Sequence, residues 1–403
     1  MKPTTPINDA AVNFIAAAPT RKLAPEVIDA AKMALVDWFG VAIGAVNEPA
    51  ARAVRKVAHS WGPVGKAHMV LGPAVAPSAA ALANGTMVHC MDFDDTHMDG
   101  AGHISAPTWA VTLALAEQHG KSEQQALAAY VTGFEISARL GASGIGRQLQ
   151  YKGFHPSSVF GRFAAAAAAS VLLKLNRDQI AHALGVAGTT VSGLNASFGT
   201  MSKPFHLGKA AMDGILAAQL AADGFMAATH LYELQGGLLD AFIQNREVEV
   251  PPVDDFGVKW ELLGNGFKPF ACCRATQAST QAARTLAERV GQRKIKRVHA
   301  KVHPNALVTA GKRDPRTPLE GKFSVPFCIS LGLRGYKAVF TDFVDATMRD
   351  RSVMDVVPVV ELEAVHGQAP HSAHLDVYME DGEHRSEEHT SELQSLAYLV
   401  CRL

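Results

Sequence analysis

The sequence has few cysteines, no excess of either charge and no long apolar run. Its five cysteines show no CxxC spacing, which excludes the common zinc motifs and a disulfide framework. Basic and acidic residues balance at 38 each, which argues against nucleic acid or an anionic membrane surface as a partner. The longest small-apolar run, Phe163–Leu173, is shorter than the roughly 20 residues of a membrane span, and no apolar core of a secretion signal follows Met1. We expect a cytoplasmic protein.

The 403 residues exceed what one ordinary core organises, and 48% of them are hydrophobic. Helical spacing of apolar residues continues to about Gln244, with Ser122 and Gln125 placed to form a capping box. The pattern changes near Val248–Pro252, and alternating polarity follows. We therefore predict a mainly α protein, with a large all-helical domain over residues 1–254 and a smaller α+β domain over residues 255–384.

The smaller domain contains candidate strands and candidate helices. Three stretches are β-rich and two have helical periodicity. We predict strands at Ile295–His303, Val356–Glu363 and His374–Met379, and helices at Thr276–Val290 and Lys322–Leu333. In the larger domain, one predicted helix spans Ala210–Asp223.

The last residues have an unusual composition. Residues 385–395 read Arg-Ser-Glu-Glu-His-Thr-Ser-Glu-Leu-Gln-Ser, which resembles the translation of a sequencing-adapter oligonucleotide. We expect residues 385–403 to be a non-native tail that takes no part in the function. The nucleotide sequence of the gene tests this expectation.

Polar side chains that suit catalysis are concentrated in four stretches between apolar helices. Met91–His103 contains Asp92, Asp94, Asp95, Thr96, His97, Asp99 and His103. The other three stretches contain His155; Lys203 and His206; and Lys268 and Arg274. Helix ends that converge commonly build a pocket.

Together these side chains suit a small polycarboxylate substrate. Lysine and arginine pair with carboxylates, and histidine carries protons near neutral pH. Each stretch alone also has a plainer interpretation: an acidic solvated loop, a His155–Pro156 helix cap, a surface lysine, or two inert thiols at Cys272 and Cys273. Only the combination of all four stretches favours a site.

A metal-dependent enzyme is a second interpretation. Asp92, Asp94, Asp95, His97 and Asp99 offer ligands to a hard cation, and Asp94–Asp99 loosely resembles the magnesium loop of helical isoprenoid synthases. No second acidic motif follows on a later helix, however, and the α+β domain has no place in that architecture. We expect no metal and no cofactor.

The four stretches together resemble those of the MmgE/PrpD family, which includes 2-methylcitrate dehydratases, cis-aconitate decarboxylases and an iminodisuccinate epimerase. The motifs are Asn84–Thr96, Gly153-Phe-His-Pro, Ser202-Lys-Pro-Phe-His-Leu-Gly-Lys and Lys268-Pro-Phe-Ala-Cys-Cys-Arg, and the resemblance covers residues 9–384. It implies that the α+β domain is a lid over a cleft, that the protein is a homodimer, and that catalysis needs no cofactor.

The resemblance also implies roles for individual residues. His103 and His155 are expected to transfer protons, and Lys203 is expected to bind a carboxylate. Asp92 and Thr96 are expected to orient a histidine or the substrate. The expected substrate-binding residues are Lys268, Arg274, His206 and Gln277. The expected activity is that of a lyase or isomerase on a di- or tricarboxylate, foremost a 2-methylcitrate-type dehydratase, with decarboxylation or epimerisation as alternatives.

Three features depart from the family pattern. The spacing from Thr96 to His103 is one residue longer than in the decarboxylases, and Gln277 stands where a histidine is usual. A glutamine cannot carry a proton at neutral pH. With a non-native tail, the helices that follow the lid in the family would be absent. These departures leave open a third hypothesis, in which the chain is a non-catalytic binding or scaffold protein.

Overall fold

A computed structural model describes residues 6–244 and 253–390. The predicted change of character at Val248–Pro252 lies outside these residues, so the boundary between residues 254 and 255 remains a prediction. Residues 391–403 of the suspected tail also lie outside them. The observed architecture is mainly α, as predicted, with a small mixed sheet near the C-terminal end.

The first part of the chain is built from helices. They are α1 (Ile7–Ala16), α2 (Pro25–Gly44), α3 (Pro49–Ser60), α4 (Pro77–His89), α5 (Ser105–His119), α6 (Glu123–Gly141), α7 (Ile145–Tyr151), α8 (Pro156–Leu173), α9 (Arg177–Thr189) and α10 (Ser202–Ala222). Three two-residue strands accompany them: β1 (Ala67–His68), β2 (Ala74–Val75) and β3 (Thr96–His97). A single π-helical turn spans Leu239–Ile243.

Local sequence explains where many of these helices begin. Ser122 and Gln125 form the predicted capping box of α6, and Asn176 and Gln179 form another at α9. Four helices, α2, α3, α4 and α8, start with a proline, whose missing N–H costs nothing in a first turn. Polar caps and prolines therefore account for the starts of these six helices.

Two predicted helix starts differ from the structure by three residues or more. The helix expected from Lys322 begins three residues later, at Val325, and the other error is larger. The helix expected at Ala210–Asp223 begins eight residues earlier, at Ser202. Pro204 is compatible with a first helical turn, and Lys203 and Leu207 lie one turn apart on the buried face. The third polar stretch is therefore the first two turns of α10 rather than a loop.

The core of the helical part is formed by unusually close helix pairs. The central helix α8, with its run Ala164–Ala169, packs against α6 and α10. A Cβ atom added at Gly133 would lie 2.6 Å from the Ala164 carbonyl oxygen, and one at Gly214 would lie 2.2 Å from the Ala165 Cβ. By length and composition α8 could cross a membrane, but 89% of it is buried in the protein, as expected of a core helix.

The C-terminal part combines helices with a four-stranded sheet. The strands of this sheet are β5 (Ile295–Val302), β6 (Val360–Ala364), β7 (Ser372–Met379) and β8 (His384–Thr390), and a separate two-residue strand, β4 (Asn265–Gly266), pairs with β3. The helices of this part are α11 (Gln277–Val290), α12 (Pro304–Ala310), α13 (Pro318–Gly321), α14 (Val325–Leu333) and α15 (Arg351–Met354). The sheet order is β6-β5-β7-β8, and only β5 and β6 are parallel.

This part has its own hydrophobic core. Side chains of α11 and α14 pack on the inward face of β5 and β7, among them Leu286, Ile329, Val298 and Leu375. The strand predicted at Val356–Glu363 starts only at Val360, because Val357–Val359 form a 3-10 turn around Pro358, which has no N–H for a strand ladder.

The described portion of the suspected tail forms a strand. Residues 385–390 belong to β8, which pairs antiparallel with β7 along the edge of the sheet. Every side chain of β8 is exposed or half-buried. A polar edge strand of this kind pairs through its backbone, so its formation demands little of its side chains. Whether residues 385–403 are native therefore stays a prediction.

Candidate active site

The segment from Asp92 to His103 connects α4 to α5 and carries most of the candidate groups. Asp92 follows the end of α4 with a φ of 51°, a left-handed conformation that aspartate tolerates better than most residues. Further along, β3 pairs antiparallel with β4, so that Thr96 faces Gly266 and His97 faces Asn265. The segment is thus fixed to the chain that leads into the C-terminal part.

A cavity of about 90 Å³ lies between this segment, the start of α8, the start of α10 and the C-terminal part. Six of the nine predicted site residues line it. They are Asp92, Thr96, His103, His155, Lys203 and Arg274. The structure therefore brings together residues from all four polar stretches, which are separated by up to about 180 positions in the chain.

Asp92 is the anionic centre of the cavity and is paired with two lysines. Its Oδ1 accepts a hydrogen bond from Lys203 Nζ at 2.7 Å, and its Oδ2 lies 3.3 Å from Lys268 Nζ. Burial raises the pKa of the Asp92 carboxyl, but the two lysines more than offset this and hold it below its ordinary value. Lys268 reaches Asp92 from behind the cavity wall and is fully buried.

Lys203 is held by several groups besides Asp92. Its Nζ lies 2.5 Å from His89 Nε2 and about 5 Å from the ring centres of Phe198 and Phe323. An ammonium over aromatic faces is stabilised without neutralising its charge. The ammonium group of Lys203 is therefore held at a fixed place in the cavity wall.

His103 faces the cavity with one nitrogen and the protein with the other. Its Nδ1 lies 3.0 Å from the Asp95 carbonyl oxygen and 3.2 Å from Asp94 Oδ2, while its Nε2 lies 4.0 Å from Asp92 Oδ1. Its backbone N–H donates to Ser157 Oγ. Burial lowers the pKa of His103, and Asp94 counteracts part of that shift. A neutral His103 therefore has its proton on Nδ1 and a free lone pair on Nε2.

His155 approaches the cavity from the N-terminal end of α8. Its Nδ1 lies 3.1 Å from Nδ1 of His206, so one ring donates to the other. Burial and the nearby Lys203 lower the pKa of His155 well below its ordinary value. His206 does not line the cavity and serves as the neighbour that orients His155.

Arg274 is the candidate group with an unused hydrogen-bond donor. Its Nε donates to Met98 Sδ at 3.2 Å, and its buried Nη2 has no hydrogen-bond partner among the described residues. Burial lowers the pKa of its guanidinium to about 10, which leaves it charged at neutral pH. A substrate carboxylate in the cavity would satisfy this group.

Gln277 lies away from the cavity and makes structural hydrogen bonds. Its Oε1 accepts from the Phe270 N–H, and its Nε2 donates to the carbonyl oxygens of Phe270 and Cys272. The side chain is fully buried at the start of α11. In this position it shapes the loop that carries Arg274 rather than the cavity surface.

The sequence did not reveal two features of the site. His89 was not among the candidate residues, and Asp94 was not expected to pair with histidines. Both are buried, and Nδ1 of His89 lies 2.9 Å from each oxygen of Asp94. The available signal was the position of His89, three residues before Asp92 in a helix whose other residues are nearly all small or apolar. A lone polar ring in such a helix needs a buried partner.

Three of these groups also form a set that could hold a metal ion. Ligand atoms of His89, Asp94 and His103 all lie within 4.8 Å of one another, and two imidazoles with a carboxylate suit a divalent transition metal. The positively charged ammonium groups of Lys203 and Lys268 lie close by and disfavour the binding of a metal cation. The five-residue aspartate and histidine set considered from the sequence does not converge, because Asp95 points to Ser105 and Asn265 and Asp99 is exposed.

Comparison with known proteins gives matches along most of the chain. A family model of the MmgE/PrpD N-terminal domain matches residues 10–251, and one of the MmgE/PrpD C-terminal domain matches residues 270–392. Cis-aconitate decarboxylase of Aspergillus terreus is 27% identical over 348 residues, which are 80% of this chain and 71% of that protein.

Two further relatives carry related names. The cis-aconitate decarboxylase-like protein oryM of Aspergillus oryzae is 30% identical over 65% of this chain and 57% of its own length. Human cis-aconitate decarboxylase is 34% identical over 52% of this chain and 44% of its own length. The chain thus spans between 44% and 71% of the length of these curated relatives.

Proposed function

Because the chain belongs to the MmgE/PrpD family, we propose that it is a lyase that transfers protons to and from a small polycarboxylate without a metal or organic cofactor. The observation that carries the proposal is a guanidinium nitrogen of Arg274 that has no hydrogen-bond partner within residues 6–244 and 253–390 and lies in the same cavity as Lys203 and two histidines. The two cations fit substrate carboxylates, and the histidines fit proton transfer.

Decarboxylation of cis-aconitate is the first reaction that we propose to test, because the relatives are named for it. Loss of carbon dioxide from the methylene carboxylate leaves an electron pair that is conjugated with the double bond. A proton delivered to the far carbon of that allylic system completes the reaction, so one histidine acts as an acid. Binding of an anionic substrate favours a protonated histidine, which otherwise is disfavoured by burial and by Lys203.

Dehydration of a 2-methylcitrate-type substrate is the second candidate. It uses the same groups, but a histidine begins as a base rather than as an acid. His103 or His155 would take the proton next to a carboxylate, and another group would protonate the departing hydroxyl. Lys203 and Arg274 would stabilise the negative charge that develops on the carboxylate side. Epimerisation of iminodisuccinate needs only removal and return of a proton, and so belongs to the same set of tests.

We propose that the C-terminal part acts as a lid over this cavity. Arg274 lines the cavity from that part, and Lys268 contacts Asp92. Lys322 Nζ donates to the carbonyl oxygens of Met91 and Ala271 and so joins the end of the α4 region to the loop before Arg274. A lid of this kind would exclude water from the reacting groups.

We also propose that two copies associate in the cytoplasm. The outer face of α2 exposes Val36, Phe39 and Ile43 at helical spacing, each at 38% or more. The described cysteines, Cys90, Cys272, Cys273 and Cys328, are all free thiols. Sedimentation equilibrium of the wild type and of F39E tests the association, since a charge on this face would favour the monomer.

The activity is tested with chelator-treated protein in deuterated water. Cis-aconitate, 2-methylcitrate, citrate and iminodisuccinate are each incubated with the enzyme, and products are followed by NMR. We expect one substrate to lose carbon dioxide or water, or to take up solvent deuterium at a carbon next to a carboxylate. A dependence on added divalent metal contradicts the proposal, and so does turnover that persists in the H103Q/H155Q double variant. No reaction with any of the four would favour the non-catalytic hypothesis.

A further inference from the structure

The Asp94 carboxylate lies between two imidazoles. Both of its oxygens are 2.9 Å from His89 Nδ1, and Oδ2 is also 3.2 Å from His103 Nδ1. Two ring nitrogens at hydrogen-bond distance stabilise the ionised form of this carboxylate. An ionised carboxylate only accepts hydrogen bonds, and both Nδ1 atoms are therefore donors.

A second contact of each ring agrees with this proton arrangement. Lys203 Nζ donates to His89 Nε2, so that nitrogen is an acceptor and the His89 ring is neutral. The Asp95 carbonyl oxygen can only accept, and it lies 3.0 Å from His103 Nδ1. The two acceptors nearest Nδ1, the Asp95 carbonyl and Asp94 Oδ2, thus place the His103 proton on that nitrogen. Nε2 faces the cavity, and the Asp92 carboxylate, 4.0 Å from it, is beyond hydrogen-bond distance.

The charges around His103 show why Asp94 matters more than the other nearby carboxylate. His103 is faced by the carboxylates Asp92 and Asp94, the ammonium groups of Lys203 and Lys268, and the rings of His89 and His155. Both lysines pair with Asp92. Asp94 pairs instead with the two imidazoles, so its negative charge remains available to a protonated His103.

We propose that Asp94, held in place by His89, is the positioning carboxylate of His103. It keeps Nδ1–H pointed into the protein and stabilises the imidazolium whenever Nε2 carries a proton. In the proton-abstracting direction a substrate C–H bond breaks, its electron pair stays on carbon, and an N–H bond forms at Nε2; in the donating direction the same bonds are made and broken in reverse. This inference rests on the proposed function in one respect, that His103 exchanges a proton with the substrate.

His89 has a separate task in this arrangement. It accepts from Lys203 on one nitrogen and donates to Asp94 on the other, so one neutral ring joins a cation to an anion. Direct pairing of Lys203 with Asp94 would neutralise the carboxylate and draw it away from His103. The His89 ring therefore separates Lys203 from Asp94 and holds the carboxylate in place without neutralising its negative charge.

The central test compares D94N with D99N. Both remove one carboxylate from the same segment, but Asp99 is exposed and Asp94 is buried. We expect D94N to lower kcat by about 10²–10⁴-fold with little change in KM, because an oriented imidazole loses its carboxylate. We expect its His103 pKa, from NMR titration, to fall by about one unit or more. D99N should match the wild type in both measurements.

The second comparison uses His89. Glutamine offers one acceptor and one donor, so H89Q should keep at least a tenth of the wild-type kcat, whereas H89L should lose about as much as D94N. A merely structural role for His89 predicts the same loss in both variants. A D94N enzyme with the kcat and His103 pKa of D99N overturns the proposal.

Nitrogen-15 NMR of histidine-labelled wild-type protein identifies the tautomers of His89 and His103 directly, without a substrate or a variant. Proton-bearing Nδ1 atoms on both His89 and His103 support the inference, and an Nε2–H tautomer of neutral His103 overturns it even if D94N does not fold. If no tested substrate reacts while the tautomers and the D94N pKa shift are as expected, the proposed function fails and the positioning of His103 by Asp94 stands.

Discussion

Thr96 and Gly266 face each other across the two-residue ladder of β3 and β4. This pairing ties the segment with Asp92 and His103 to the chain that enters the C-terminal part. The next residue strengthens the tie, because His97 Nε2 lies 3.4 Å from Glu261 Oε2. The hydrogen-bonded carboxylate of Glu261 has a pKa lowered to about 2, chiefly through His97. The orientation of the C-terminal part and the geometry of the proton-transfer groups are therefore linked through a few residues.

The first prediction concerns the two histidines of the cavity. Replacing either by glutamine preserves size and hydrogen bonding but removes the proton-carrying ring, so H103Q and H155Q should each lower kcat by about 10²–10⁴-fold. Thermal unfolding should remain within a few degrees of the wild type. The control is H119Q at the exposed end of α5. Wild-type kcat in both site variants would remove the histidines from the reaction.

The second prediction concerns Arg274. Its Nη2, which no group in the described part of the chain engages, suits a carboxylate, and lysine cannot reproduce the paired donors of a guanidinium. We expect R274K to raise KM by about 10- to 100-fold, equivalent to the roughly 1.5–3 kcal/mol of a charged hydrogen bond. R52K on the exposed face of α3 is the control. A loss confined to kcat would instead indicate that Arg274 acts mainly in the transition state.

The third prediction concerns the helix pair α8 and α10. In an open helix G214A would stabilise by about 1 kcal/mol, but here the added methyl would lie 2.2 Å from Ala165 Cβ. We expect G214A to destabilise the protein by about 1–3 kcal/mol or more, measured by urea unfolding. L216A on the exposed face of the same helix should change stability by about 0.5 kcal/mol or less. A stabilised G214A protein would contradict the close helix approach.

The fourth prediction concerns Glu135 in α6, whose carboxylate accepts from the backbone N–H groups of Glu261 and Leu262. Burial raises its pKa from 4.5 to about 7. The folded state thus binds this proton more tightly than the unfolded state. Its contribution to stability is fully present below pH 4.5 and is lost as the pH rises through about 7, by up to about 3 kcal/mol.

The E135Q variant tests this linkage because it has no titrating carboxyl at that position. From pH 4.5 to 7.5, the wild type should lose stability relative to E135Q, whatever constant cost the amide brings. Urea unfolding at several pH values gives the difference. E123Q, which changes an exposed glutamate at the start of the same helix, should follow the wild type. Parallel curves for the wild type and E135Q would show that the Glu135 pKa is not raised.

Much of the architecture follows from local sequence signals. The capping box at Ser122 and the mainly α composition were predicted correctly, because side chains a few residues apart decide them. The start of α10 was not, because the burial of Lys203 depends on Asp92 and His89, more than 100 positions away in the chain. Sequence patterns along the chain do not encode such a contact.

The cavity shows the same division. Motifs identified six residues that line it, since acids, imidazoles and cations rarely collect between apolar helices without a site. The role of His89 could not be deduced, because a single histidine in an apolar helix is compatible with many partners. Gln277 was placed among substrate ligands by its position in a motif, but its amide is used by the backbone around Cys272. Only three-dimensional packing separates these cases.

The alanine run of α8 has a consequence for how relatives of this protein are compared. Ala164–Ala169 are all fully buried, and neighbouring helices approach closely enough that a larger side chain has no space there. Natural selection should therefore hold these positions as firmly as the histidines. In an alignment of homologues, invariance alone would not distinguish packing residues from chemical ones. Substitution at the surface of the cavity, at positions such as Gln150 and Asn305, would be the more informative record of how substrate preference diverged.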